Sequence, residues 1–147
     1  MSLKDQLADD LKQAIRAGDE ARKTAIRMVT WAVKNAEVEQ RKPLEDAAVI
    51  TIINREAKRR EESIEQFRKG NRADLVAKEQ AELDVLKAYL PEAAPREEIV
   101  EAARKVIAEV GAESPRDKGK VMPKLVAQFA GRADGRIINE VVTELLG

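Results

Sequence analysis

Apolar residues recur three and four positions apart in seven stretches of the chain, the period that lines one face of an α-helix. Leu3, Leu7, Leu11, Ala14 and Ile15 mark the first, opened by Ser2 and stopped at Gly18. Asp19 caps a second whose stripe is Ala25, Met28, Val29, Ala32 and Ala36, with Trp31 off the stripe and fraying before Pro43. A third is expected from about Glu45 to Lys69, with Val49, Ile52, Ile53, Ala57, Ile64 and Phe67 on one side and Gly70 as its stop. Asn71 then caps a fourth, which carries Leu75, Leu83, Leu86 and Leu90 towards Pro91.

The segment Pro91-Glu92-Ala93-Ala94-Pro95 cannot continue a helix, because its prolines lack the amide donor and restrict their neighbours. It divides an amino-terminal part, residues 1–90, from a carboxyl-terminal part, residues 96–147. Beyond it, Ile99, Ala103, Val106, Ile107 and Val110 predict a fifth helix ended by Gly111. Val121, Met122, Leu125, Val126 and Phe129 predict a sixth that begins near Gly119, which places Pro123 in its first turn. Asp134 caps a seventh with Ile137, Ile138, Val141 and Leu145 inside. The expectation is an all-α protein, four helices followed by three. Composition agrees: 44% hydrophobic and 37% charged residues with four aromatics suit amphipathic helices better than sheets. The 147 residues suffice for one compact unit or for two small subdomains that share part of their cores.

The residue inventory restricts the chemistry. Without cysteine there is no disulfide or thiolate metal site, and a reducing compartment is permitted. Histidine is also missing, so general-base and nucleophilic catalysis at neutral pH would fall to carboxylates, lysines and three isolated serines, Ser2, Ser63 and Ser114. Ser2 and Ser114 stand where caps belong. No Gly-rich phosphate loop, dinucleotide fingerprint or metal-ligand spacing occurs. A stand-alone enzyme is therefore not expected, and no catalytic residue, metal or cofactor is assigned. The start Met1-Ser2-Leu3-Lys4-Asp5 lacks a basic leader with an apolar core, and no stretch approaches the ~20 apolar residues of a membrane span. The expectation is a soluble, cytoplasmic protein with no membrane partner.

Two groups of charged residues stand out. In the third helix, Glu56 and Arg60 fall near the middle of the apolar stripe, so a charge pair faces inwards. It reads either as a polar pocket between subdomains or as an i, i+4 ion pair at a helix crossing, with the arginine stem on apolar surface and its head in water. The run Arg55, Lys58, Arg59 and Arg60 is answered by Glu56, Glu61, Glu62 and Glu65 at helical spacing, as on a solvated face.

The second group is local in a chain of zero net charge. Residues 116–136 carry six basic side chains against two acids, whereas residues 91–115 carry three against six. Lys118, Lys120, Lys124, Arg132 and Arg136 are its candidate binding residues, beside two expected helix starts whose amides can meet phosphate oxygens. The residues alone leave two readings open: a phosphate-binding surface, or turn glycines with solubilising lysines. A pI near 6.4 argues against a general nucleic-acid binder, so any contact is local and salt-sensitive.

Over essentially its full length the chain resembles the YqeY-like proteins of the GatB/YqeY family. The residues that carry the likeness are Lys58-x-Arg60-x-Glu62-Ser63, Arg72-x-Asp74-Leu75, Tyr89-Leu90-Pro91, Gly119-Lys120-Val121-Met122 and Gly131-x-Ala133-Asp134-Gly135, in order and at the expected spacing. The resemblance implies an all-helical protein whose three-helix tail is similar to that of the B subunit of glutamine-dependent aspartyl/glutamyl-tRNA amidotransferase. That tail helps to hold the tRNA body while other parts of the complex do the amide chemistry. On this chain the likeness singles out Gly119, Lys120, Met122, Gly131 and Asp134, with Lys120 best placed to touch phosphate. Lys118 and Pro123 depart from the family pattern, which has Met and Gly there, and so put the start of that helix in question.

The resulting expectation is a non-catalytic tRNA-binding accessory module. The alternative is an adaptor for an amidotransferase or synthetase complex, anchored around Trp31 or the charged third helix. Carbon–nitrogen ligase activity with glutamine as amido-nitrogen donor, which the resemblance implies, could belong only to a larger assembly.

Overall fold

The protein is described here by a computed structural model of residues 1–147. Its helices are α1 (Leu3–Ala17), α2 (Glu20–Gln40), α3 (Asp46–Lys69), α4 (Ala73–Lys87), α5 (Arg96–Val110), α6 (Lys118–Gln128) and α7 (Gly135–Leu146), with a 3-10 turn at Pro115–Asp117 before α6. The all-α expectation of seven helices holds. Contacts divide the chain into two compact units, Met1–Leu90 and Pro91–Gly147.

Local chemistry sets most helix ends. The Ser2 hydroxyl accepts the Asp5 amide at 3.1 Å, and the Asp5 carboxylate accepts the Ser2 amide at 3.3 Å, a reciprocal pair that satisfies two free donors. Gly18 and Gly111 end α1 and α5 at φ +67° and +69°, a conformation in which a side chain would be strained. Asp19 caps α2 through the Arg22 amide at 3.1 Å.

Two boundaries differ from expectation. Gly70 has φ −84°, and Asn71 instead takes the left-handed conformation at φ +56°. Asn71 therefore does not cap α4. Arg72 occupies that position without a side-chain cap, its guanidinium holding Asp74 at 3.2 and 3.3 Å across the first turn. Pro123 lies inside α6, because the helix opens at Lys118 directly from the 3-10 turn and carries Pro123 beyond the first turn. Its ring nitrogen has no hydrogen to give the Gly119 carbonyl four residues earlier, so α6 forgoes that one bond.

In the first unit, Leu7, Ile26, Val29, Val49, Ile53 and Leu86 are almost wholly buried at the centre of one aliphatic core. Ala25, Ile26, Val29 and Val33 are the buried stripe of α2; Met28 lies about 115° round the helix from its centre, at 100° per residue, and is 41% exposed. Ile15 and, in the second unit, Val126 likewise face solvent rather than core. Each belongs to the expected stripe by spacing, but at its flank. The second core gathers Ile99, Val121, Leu125, Phe129, Ile138 and Val141 from α5, α6 and α7.

Polar ties fix the helices of the first unit to one another. Glu37 of α2 accepts both the Lys4 ammonium and the Leu44 amide at 2.7 Å, and the Lys4 bond in particular holds its carboxyl below its usual range. The Asp46 carboxylate accepts the Leu3 amide at 3.0 Å, joining α3 to the start of α1. At the far end the Tyr89 hydroxyl donates to Asp10, which also faces Arg22 at 3.4 Å. Burial first, and then the Asp10 carboxylate, push the Tyr89 hydroxyl above its ordinary pKa of 10. A group raised on folding adds stability that is complete below its unfolded pKa and is lost as pH rises above it. Tyr89→Phe is expected to cost about 1 kcal/mol near neutrality and to unfold with less alkaline sensitivity above about pH 10, measured by urea denaturation across that range.

Candidate functional site

The rotation of α6 is set by Val121, Leu125 and Phe129, all buried against α5 and α7. That rotation leaves Lys120 and Lys124, four residues apart, side by side on the exposed face, with Lys118 half-buried at the helix start. Lys120 is 65% exposed and lies 3.7 Å from the Asp117 carboxylate, a loose contact. Lys118 and Lys124 make no ion pair within the chain. In α7, burial of Ile138 and Val141 turns Arg136 outwards, while Asp134 accepts the Arg136 backbone amide at 3.1 Å as the cap.

Asp117 organises the turn before α6. Its carboxylate accepts the Glu113 amide at 2.9 Å and the Ser114 amide at 3.4 Å, and the Glu113 bond chiefly holds its pKa below the ordinary 3.8. The residue is therefore an anion at neutral pH, committed to backbone donors. Residues 118–133 then contain four basic side chains and no acid.

Arg132 has a different occupation from its neighbours. Its guanidinium forms a two-pronged pair with Glu98 of α5, both bonds 2.9 Å, and its Nε donates to the Glu92 carbonyl at 3.2 Å. The same head lies 6.0 Å from the centre of the Phe129 ring, and the Arg132 carbonyl accepts the Ala94 amide at 2.8 Å. The Glu98 carboxylate accordingly raises the Arg132 pKa further. Sequence spacing groups Arg132 with the lysines, yet it staples the segment before α5 to the loop between α6 and α7. The outward basic set is Lys118, Lys120, Lys124 and Arg136.

Glu56 and Arg60 face inwards, as their position in the α3 stripe requires. They lie within the first unit, where α3 crosses α4, and are 5% and 7% exposed. Arg60 Nη1 meets Glu56 at 3.3 Å and its Nη2 meets Glu82 of α4 at 3.4 Å. Glu82 is itself 4% exposed and escaped the sequence reading because its partner is 22 residues away. The arginine head does not reach water, and its Nε has no hydrogen-bond partner. Arg59 approaches Glu56 from the solvent side at 3.5 Å, so two cations answer two carboxylates. This cluster is an internal tie with no access for a ligand.

No group of three or more acidic side chains gathers closely enough to hold a metal ion, and no helix is long and apolar enough to cross a membrane. Ser2 and Ser114 are taken up in caps.

Residues 4–146 match the family described as Yqey-like protein, almost the whole chain. The protein belongs to the YqeY-like family. Among curated relatives, it is 33% identical over 145 residues to the Pyrenophora tritici-repentis protein named "Altered inheritance of mitochondria protein 41, mitochondrial", covering 97% of this chain and 80% of that one. Proteins of the same name from Lachancea thermotolerans and Eremothecium gossypii are 41% and 42% identical over 85 residues, 57% of this chain and 46% of each of theirs. These relatives are named as mitochondrial, which overturns the cytoplasmic expectation; that expectation rested on composition and on the opening residues, neither of which specifies a compartment.

Two substitutions test the structural roles assigned here within the YqeY-like fold. Arg60→Leu should destabilise the protein by about 3–5 kcal/mol, because it strands two buried carboxylates, and chemical denaturation measures it. Arg132→Gln should lower the thermal midpoint while leaving the outward lysines in place, and Glu98→Gln should lower it no further when added to it.

Proposed function

We propose that this YqeY-like protein is a non-catalytic accessory module that grips the phosphate backbone of a folded RNA, with tRNA the candidate, inside a larger amidotransferase or synthetase assembly. The observation that carries this reading is α6: three lysines, no carboxylate, and a rotation that turns Lys120 and Lys124 to solvent. Lysine is suited to this use, since a compact ammonium on a long stem reaches phosphate oxygens without demanding a fixed geometry. Arg136 adds a fourth cation at the opening of α7. Proteins commonly recognise double-helical RNA by shape and backbone contact, which needs such a surface and no base-reading pocket.

The resemblance to the amidotransferase tail supports the same reading, because that tail is a grip and not a catalyst. Amide transfer would then belong to partners that supply the nucleophile and the activated substrate. An adaptor role predicts instead that binding to the assembly is indifferent to these lysines.

A tRNA titration at low and moderate salt separates these outcomes. Wild-type affinity should fall as salt rises, with a logarithmic slope of roughly −2 to −3 for about three phosphate contacts. A Lys118→Glu, Lys120→Glu, Lys124→Glu variant should bind at least about tenfold more weakly and with a shallower slope. Equal binding by the two proteins, or binding by neither, discards the RNA reading.

A further inference from the structure

The first unit carries an unassigned surface on the outer side of α1 and α2. The largest aromatic side chain of the protein, Trp31, is 66% exposed there, although the chain has one tryptophan and four aromatics in all. Ile15 at 50% and Met28 at 41% are exposed on the same two helices. Single exposed apolar residues need no explanation, but these are linked. Two adjoining depressions of about 640 and 410 Å³ share Leu11, Thr30 and Lys34, and together run from Trp31 and Met28 across to Ile15. The floor is a groove between two helices.

The inner face of α2 is used by the core through Ala25, Ile26, Val29 and Val33. Its outer face has a helical period of its own: Arg27, Met28, Trp31, Lys34 and Asn35 are all exposed, and Val38 continues the row at 77% exposure. The outer side of α2 thus carries Met28, Trp31 and Val38 among Arg27, Lys34 and Asn35.

The rim is basic. Lys12, Arg27 and Lys34 border the groove without an ion pair, and Lys4 does so while bound to Glu37, the one carboxylate of the lining. Residues 21–36 contain four basic side chains and no acid, a run as long as that at 118–133. Arg22 and Lys23 of that run are answered by Asp10 and Glu20, so the charge open to an anionic counterpart is that of Lys12, Arg27 and Lys34 on the rim.

The geometry points to a docking groove for an acidic amphipathic helix of a partner protein. Its apolar stripe lies along Leu11, Ile15, Met28 and Trp31, and its flanking carboxylates meet Lys12, Arg27 and Lys34. Trp31 is the anchor: an aromatic of that size, two-thirds exposed on its own fold, releases most apolar area when a second surface closes over it. A second copy of this chain fits poorly, because pairing the surface with itself sets Arg27 and Lys34 against their equals. Single-stranded RNA also fits poorly, since the floor is aliphatic around a lone ring and lacks successive stacking platforms. A flat bilayer would leave the concave floor between α1 and α2 unfilled.

Trp31 also supplies the readout, being the protein's one tryptophan. A panel of tryptophan-free peptides of roughly 18 residues, about five helical turns, carries leucine at i, i+3, i+4 and i+7 with glutamate elsewhere; a matched panel has lysine in place of glutamate. Glutamate peptides are expected to saturate the full-length protein with a blue shift of Trp31 emission, and lysine twins are not. An Arg27→Glu, Lys34→Glu variant, folded by circular dichroism because both sites are exposed, should bind the glutamate peptides at least about tenfold more weakly and gain the lysine twins. The proposal is overturned if no glutamate peptide binds, if the twins bind alike, or if the charge-reversed variant binds unchanged. It is equally overturned if phosphatidylcholine vesicles with about one-fifth phosphatidylserine or tRNA produce the Trp31 shift while the peptides do not, or if sedimentation shows a dimer that buries Trp31. The α6 lysines lie in the other unit, so failure here leaves the RNA reading standing.

Discussion

One arginine, shared between two glutamates in the interior of the first unit, fixes how its helices meet. Aliphatic stripes of the kind that α3 and α4 present can slip along one another at modest cost, since valine, isoleucine and leucine fill similar space. A buried guanidinium cannot slip: moving α4 by one turn would separate Arg60 from Glu82 and strand both charges away from water. The cores of both units supply the driving force for folding, and the Glu56–Arg60–Glu82 cluster selects one register among those the aliphatic surfaces allow. With α4 set on α3, α2 packs its Ile26 and Val29 side into the remaining space and presents its other side to solvent. The exposure of Trp31 follows from its place opposite that buried side of α2.

The second unit uses the same device nearer the surface. Arg132 holds Glu98 with both of its terminal nitrogens, and its backbone holds Ala94, so the segment that precedes α5 is tied to the turn that precedes α7. This explains why an arginine amid lysines is not interchangeable with them. A planar fork suits a carboxylate and closes a loop, whereas the lysine ammonium groups keep their mobility and face outwards. Commitment of Arg132 to Glu98, while Lys118 and Lys124 make no ion pair, leaves α6 with outward cations beside the exposed Arg136.

Helix number, order and most ends follow from spacing and caps because those are set within a few residues. Ser2 with Asp5, Asp19, Gly18, Gly111 and Asp134 each act on their own turn, and the sequence displays all of them. The inward direction of Glu56 and Arg60 was legible for the same reason. What spacing hides is anything decided by a distant partner. Met28 and Val126 share the apolar period but lie at the flank of their stripes, and only neighbouring helices decide how far burial extends. Glu82 and Glu98 look like ordinary surface acids until the folded chain brings Arg60 and Arg132 to them. Pro123 misled because a 3-10 turn, stabilised by Ser114 and Asp117, starts the helix earlier than the glycine suggested.

The zero net charge of the chain then acquires a mechanical sense. A protein that bound anions through its overall field would be basic throughout, and its association would be steered from beyond the Debye length of about 8 Å at physiological salt. Here the two acid-free runs, 21–36 and 118–133, are each bounded by a carboxylate at either end, Glu20 and Glu37 for one, Asp117 and Asp134 for the other. Part of each run is already paired, Arg22 with Asp10, Lys23 with Glu20 and Arg132 with Glu98, and beyond the screening distance salt suppresses what remains. Attraction is therefore short-ranged, effective after a partner is already against the surface. That arrangement suits a component held in an assembly by shape, with charge selecting which neighbour may settle, better than it suits a scavenger of free polyanions.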